Sequence, residues 1–206
     1  MYVVIPTAER PSPSLPYALA SIAQHTDYTP ITIGHDLGLC DLHIPTTQIP
    51  GVQHARRNTN LAMRVACESL GQPFVWSNDD IYWLKPAAPI MWAIGKLEDA
   101  TDANKLNRER KAETARQLTA EGWPTFDYEA HVPMMVDPVV MLPVLDIVDE
   151  NPLIEKRSLY GNQIGLPDRV APDVKLRNPV NRHRDVEWAS TQGDPSRWRD
   201  LADALT

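Results

Sequence analysis

Along residues 1–90, short apolar runs alternate with stretches in which apolar side chains recur every three or four positions. Tyr2 to Ile5 is an apolar, partly β-branched run halted by Pro6, the pattern of a buried strand that opens into a loop. Leu15, Leu19 and Ile22 then fall at helical spacing within Leu15 to His25. Ile31-Thr32-Ile33 predicts a second short strand, ending in Gly34-His35-Asp36. The clearest helical period runs from Val52 to Leu70, with Leu61, Ala62, Val65 and Ala66 on one face and Arg57, Asn60, Arg64 and Glu68 on the other. Gly71 is placed to end it. Pro73-Phe74-Val75-Trp76 then reads as a fully buried strand that runs straight into Ser77-Asn78-Asp79-Asp80. Strand, helix, strand, helix, strand in this order predicts an α/β fold, with a mainly parallel, Rossmann-like sheet and helices on both faces.

Residues 91–206 are less periodic. Pro89 to Leu97 predicts a short apolar helix, and Asn104 to Glu121 a polar surface helix. His131 to Val136 resembles a strand, and Asp137-Pro138 supplies an N-cap and a first-turn proline for a helix through Val148. Asp194-Pro195 signals a final helix in the same way. Tyr160 to Trp188 offers no pattern and is expected to form loops that carry contacts.

Composition bounds the function classes. At 206 residues, with 43% apolar and 23% charged positions, the chain has the balance of one globular domain. No apolar run approaches the roughly 18 residues that span a bilayer. Met1 leads directly into the first strand without a basic flank or cleavage site, so a cytoplasmic protein is expected. Cys40 and Cys67 are too few and too separate for a disulfide framework or a zinc site. A net charge of −7 argues against a general phosphate-backbone binder, although Lys105 to Arg116 and Lys175 to Arg199 are locally basic.

The chemistry gathers at strand ends. In an open parallel sheet, ligands bind beyond the carboxyl ends of the strands. Thr7, Glu9 and Arg10 follow the first strand, His35 and Asp36 the second, and Asn78, Asp79 and Asp80 the strand after the long helix. Adjacent carboxylates in a recessed turn repel each other unless a cation sits beside them. Mg2+ or Mn2+ takes such oxygen ligands and commonly bridges carboxylates to substrate phosphates. A solvated turn in which an aspartate caps the next segment is the alternative reading.

Ala55-Arg56-Arg57-Asn58, followed by a helix and then Phe74-Val75-Trp76-Ser77-Asn78-Asp79-Asp80, resembles the GT-A glycosyltransferases, in which an Ala-Arg-Asn helix start of the family-2 kind precedes a strand and a DXD motif. Val3-Val4-Ile5-Pro6-Thr7 is similar to their first strand and nucleotide-binding loop. A fainter similarity, in Phe74 through Pro86, is to Stealth-type hexose-1-phosphate transferases.

The GT-A resemblance implies a single GT-A-like domain over 1–206, with a nucleotide-sugar-binding half at 1–90 and an acceptor-side half at 91–206. It implies a metal-dependent transferase moving a sugar from a nucleoside diphosphate to an acceptor hydroxyl. Asp80, with Asp79 and a late His183, would hold Mn2+ or Mg2+, and Asn78 stands where the first aspartate of the motif often does. Pro6, Thr7, Arg10, Asp36, Arg57, Asn58, Asn78 and Asp79 would face the donor. Asp137, His131 and Glu129, with Asp127 nearby, are the candidates for the base that deprotonates the acceptor. A sugar-phosphate transferase or nucleotidyltransferase is the alternative enzyme, and a non-catalytic nucleotide-sugar or partner-binding module the alternative of another class. The acceptor stays open between a glycan, a small molecule and a modified nucleic-acid base.

Overall fold

A computed structural model describes residues 1–10, 12–51, 54–101, 104–166, 170–176 and 187–191. These group into two compact units, one built from the described residues within 1–90, 131–137, 174–176 and 187–191, the other from those within 91–130 and 138–173.

The first unit holds strand β1 (Tyr2–Thr7), helix α1 (Leu15–His25), β2 (Thr29–Gly34), β3 (His43–Pro45), helix α2 (Ala55–Leu70), β4 (Phe74–Trp76) and β5 (Ile81–Trp83). It also takes three strands from later in the chain, β6 (Met134–Val136), β7 (Lys175–Leu176) and β8 (Trp188–Thr191). The main sheet runs β3-β2-β1-β4-β6, and only its β4–β6 pair is antiparallel. The mainly parallel α/β sheet predicted from the apolar blocks is therefore present. Its central strands are buried along both faces: Val3, Val4, Ile5, Ile33, Phe74 and Val75 have no exposed surface. Each such side chain contributes about 1.5–3 kcal/mol by leaving water.

A second sheet, β5-β8-β7, follows the acidic turn. β8 runs antiparallel to β5 and parallel to β7. Helix α1 packs on it: Ala18, Tyr82 and Ala189 form a buried cluster, and the Ser21 hydroxyl accepts the Trp83 N–H at 3.1 Å. None of β3, β5, β7 or β8 carries a periodic signal long enough to be read from the sequence.

Gly34, at the end of β2, requires its residue type. Its φ of +123° lies where side chains are strained, and a Cβ would collide with the Thr7 carbonyl oxygen. That carbonyl accepts the His35 N–H at 3.3 Å and the Gln48 side-chain amide, and the Thr7 hydroxyl donates to His35 O at 2.7 Å. The carboxyl ends of β1 and β2 are thereby tied together.

The second unit holds α3 (Lys105–Ala120), α4 (Pro138–Glu150) and α5 (Lys156–Gln163). Tyr128 is its buried centre: its hydroxyl donates to Leu166 O at 3.1 Å, and its ring lies so close to Gly161 that a Cβ there would approach to 2.6 Å. Asn162 satisfies both backbone groups of Phe126, at 3.0 and 2.8 Å.

Three expectations change. The helix expected over Pro89 to Leu97 is absent; Ile94 and Leu97 donate to Asp127 O and Thr125 O, and only Leu97–Asp99 forms a single 3-10 turn. Gly95, at φ +151°, breaks any helix there, and the extended partner at 125–127 satisfies the backbone instead. The strand expected over 131–136 shortens to β6. The stretch from Tyr160 is not all loop, because α5 runs through Gln163, β7 covers 175–176 and β8 begins at Trp188. The helix expected after Asp194-Pro195 lies outside the described residues.

Candidate functional site

β1 is followed by α1 and then by β2 on one side of it, whereas β4 lies on its other side. The strand order therefore reverses between β1 and β4, and a crevice at their carboxyl ends is the expected ligand position in such a sheet. The Ser77 N–H donates to Val4 O at 2.9 Å, which carries the pairing one residue past β4. Ile81 N–H then donates to Asn78 O at 3.2 Å, so Asn78 to Ile81 is a tight turn with Asp79 and Asp80 at its two central positions.

Both carboxylates are half-buried, and hydroxyl groups surround them. Burial pushes the Asp79 carboxyl above its ordinary value; a hydrogen bond from Ser12 opposes this, and the charge of Asp80 adds to it. The Ser190 hydroxyl donates to Asp80 Oδ2 at 3.2 Å, and the Thr191 N–H to the Asp80 carbonyl at 3.2 Å. Tyr82, fully buried, has its hydroxyl 3.1 Å from that of Thr191 and hydrogen-bonded to Ser14 as well. Burial raises the Tyr82 phenol further above its ordinary value, so it stays protonated. Two segments thus clasp the acidic turn: the loop after β1, through Ser12, and the end of β8.

The donor set is all oxygen and includes two carboxylates, one of them partly stripped of water. That suits a hard divalent cation completed by water and substrate phosphate. Among the described residues no group of three or more His, Cys, Asp or Glu side chains assembles, so such a cation would have two carboxylates from this turn. His183 lies outside the described residues.

The other sequence candidates fall as follows. Pro6 is in β1 opposite Ile33, Thr7 is buried in the tie between β1 and β2, and Arg10 is exposed in the loop that carries Ser12. Asp36 is exposed and accepts the Gly38 N–H at 2.9 Å. Arg57 is exposed near the start of α2, while Asn58 pairs with both backbone groups of Ile49, at 2.9 and 2.8 Å, and fastens the preceding loop to the helix.

Register separates the base candidates. β6 sets Met134 opposite Trp76 and Val136 opposite Phe74. His131, three residues before Met134, is toward the end of the β4–β6 pair that leads into the acidic turn, whereas Asp137 follows Val136 beside the start of β4, at the opposite end of that pair. In the second unit, Glu129 accepts the Ser158 N–H at 3.1 Å and its hydroxyl at 3.2 Å, in the first turn of α5. Asp127, its side chain 3% exposed, is 2.9 Å from the Lys111 ammonium. Burial draws the Arg157 guanidinium down from its ordinary value, opposed by the charges of Glu129 and Asp173.

Sequence reasoning passed over Ser12, Ser14, Tyr82, Ser190 and Thr191. Ser12 and Ser14 had a signal, since they alternate with prolines directly after a strand. Ser190 and Thr191 had none, because nothing in Trp188-Ala189-Ser190-Thr191 points back to residue 80.

No protein-family model and no curated protein matches the chain. Among solved structures, a crystal structure of a glycosyltransferase involved in the glycosylation of the major capsid of PBCV-1 is similar over 98% of this chain and 100% of that one, at 13% identity and a TM-score of 0.47. Likeness at that level leaves any functional reading to rest on this chain's own residues.

Proposed function

We propose that the chain is a metal-dependent glycosyltransferase that moves a sugar from a nucleoside-diphosphate donor to an acceptor hydroxyl. The observation that carries the reading is the acidic turn itself: two adjacent carboxylates, one with its carboxyl pushed up by burial, stand at the carboxyl end of β4 where the strand order reverses. A site that tolerates this repulsion gains a ready place for a cation and an anionic ligand.

Asp80, with Asp79, would hold Mg2+ or Mn2+. When bound, such a cation neutralises the charge that develops on a departing diphosphate. Asp79 lies on the loop side of the turn, through Ser12, and Asp80 on the β8 side, through Ser190. The loop after β1, with Thr7 and Arg10, would line the donor, the exposed Arg10 guanidinium pairing with phosphate oxygens. Of the base candidates, His131 is the one that the β6 register brings to the side of the turn, and its imidazole would take the proton of the acceptor hydroxyl.

Asp80→Ala should lower donor turnover about 100-fold or more while the protein keeps its circular dichroism spectrum. Release of nucleoside diphosphate from a panel of nucleotide sugars, with Mn2+ and with excess chelator, is the measurement. Full turnover by the variant, or in chelator, overturns the reading. Release of a nucleoside monophosphate instead identifies phosphosugar transfer.

A further inference from the structure

We infer that Ser190 is a positioning residue for the acidic turn, fixing the Asp80 carboxylate in the orientation in which it receives a divalent cation. The inference rests on the proposed metal-dependent reading and adds a residue to it from a part of the chain that carries none of the motif.

The β5–β8 ladder pairs Ile81 with Ser190. The next residue of β8, Thr191, donates its N–H to the carbonyl of Asp80 at 3.2 Å, so the ladder reaches one residue into the turn. Ser190, fully buried, adds its hydroxyl to Asp80 Oδ2 at 3.2 Å. Backbone and side chain of one aspartate are therefore both held by two consecutive residues of one strand. A carboxylate on a tight turn otherwise rotates about its side-chain torsions, and each rotor that must be frozen on binding weakens the complex. The hydroxyl removes that rotation beforehand. It leaves Oδ2 capacity for a second partner, because an ionised carboxylate offers about four lone-pair sites. β8 is anchored independently of the turn: the Ser190 N–H donates to Val174 O at 3.3 Å, and the Ala189 side chain is packed in the cluster with Ala18 and Tyr82.

The test is Mn2+ binding, followed by the loss of the free-ion electron paramagnetic resonance signal, with UDP present as the diphosphate probe. Ser190→Ala and the near-isosteric Ser190→Cys should both weaken Mn2+ binding about 10- to 100-fold, the range for removing a partner that orients a metal ligand. Trp83→Phe opens space in the same sheet, at the position paired with Trp188, and leaves both partners of Asp80 in place, so its Mn2+ affinity should stay within about 2-fold of the parent. Thermal melts of all the variants give the structural cost separately. Parent-like Mn2+ binding in both Ser190 variants overturns the positioning role and leaves the transferase reading standing. Equal weakening in Trp83→Phe also overturns it, because the effect is then one of packing. A parent protein that takes up no Mn2+ with UDP removes both the role and the reading beneath it.

Discussion

Asp79 shows what one side chain gives up for a site. Its carboxyl is raised above the ordinary value of 3.8 chiefly by burial. The sign of the linkage follows: a carboxyl whose folded value is raised favours the folded state when protonated and opposes it once ionised, so the cost is absent at acid pH and grows as pH rises through the folded value. Asp79→Asn keeps an acceptor for Ser12 and removes the charge. Its Tm at pH 7 should rise by about 2–4 °C over the parent, and the gain should vanish below about pH 4. Differential scanning calorimetry across that range checks it. A parent-like Tm at neutral pH would mean that Asp79 is not held against its solvation. Individual residues were unevenly legible from sequence. Asp79 and Asp80 stood out because two like charges after four apolar positions are conspicuous. Asn58 carried a motif signal, yet its amide is engaged with Ile49, a partnership that no local pattern encodes.

At the scale of elements, the readable ones bury a face whose period is complete within the element. α1 begins and ends at Leu15 and His25 as its apolar spacing predicts, and α2 ends at Gly71, whose φ of 59° is the left-handed cap conformation. β5 and β8 are three and four residues long and exist because they pair across more than 100 positions, so neither has a local signature. α3 was legible as a polar helix, but its attachments were not. Glu113 accepts from Arg116 at 2.9 Å within α3 and from Asn151, just beyond α4, at 2.7 Å. These bonds hold its carboxyl at about 2, below the ordinary 4.5. A depressed carboxyl contributes stability above its unfolded value and loses it as pH falls through its folded value. Glu113→Gln should therefore be the less stable protein at neutral pH, and the gap in urea midpoint should close between about pH 4.5 and about pH 2. A gap that is constant down to pH 2 would assign the loss to packing.

Across the whole molecule, neither compact unit is one continuous segment. The chain leaves the first unit after Ile90, returns for 131–137, leaves again and comes back at Val174. The predicted parallel sheet was legible because its strands and intervening helices lie in order within residues 1–90. Its last strand was legible as a strand but not as the antiparallel partner of β4, and the second sheet was not legible, since β8 contributes only four residues. Among the described residues no helix is long and apolar enough to cross a membrane.

The bond between Ser190 and Asp80 closes a loop of 110 residues. Contacts this distant in sequence form late, because the entropy of closing the loop is lost before the contact stabilises anything. The order of assembly then separates shape from competence: the strands around β1 can regain their tryptophan signal while the acidic turn still lacks its clasp. On dilution from urea, the fluorescence of a variant that keeps Trp76, beside the turn, as the one tryptophan of the six should recover before Mn2+ uptake does. Stopped-flow fluorescence and rapid-mixing metal binding measure the two phases. Coincident phases would show that the clasp forms with the sheet.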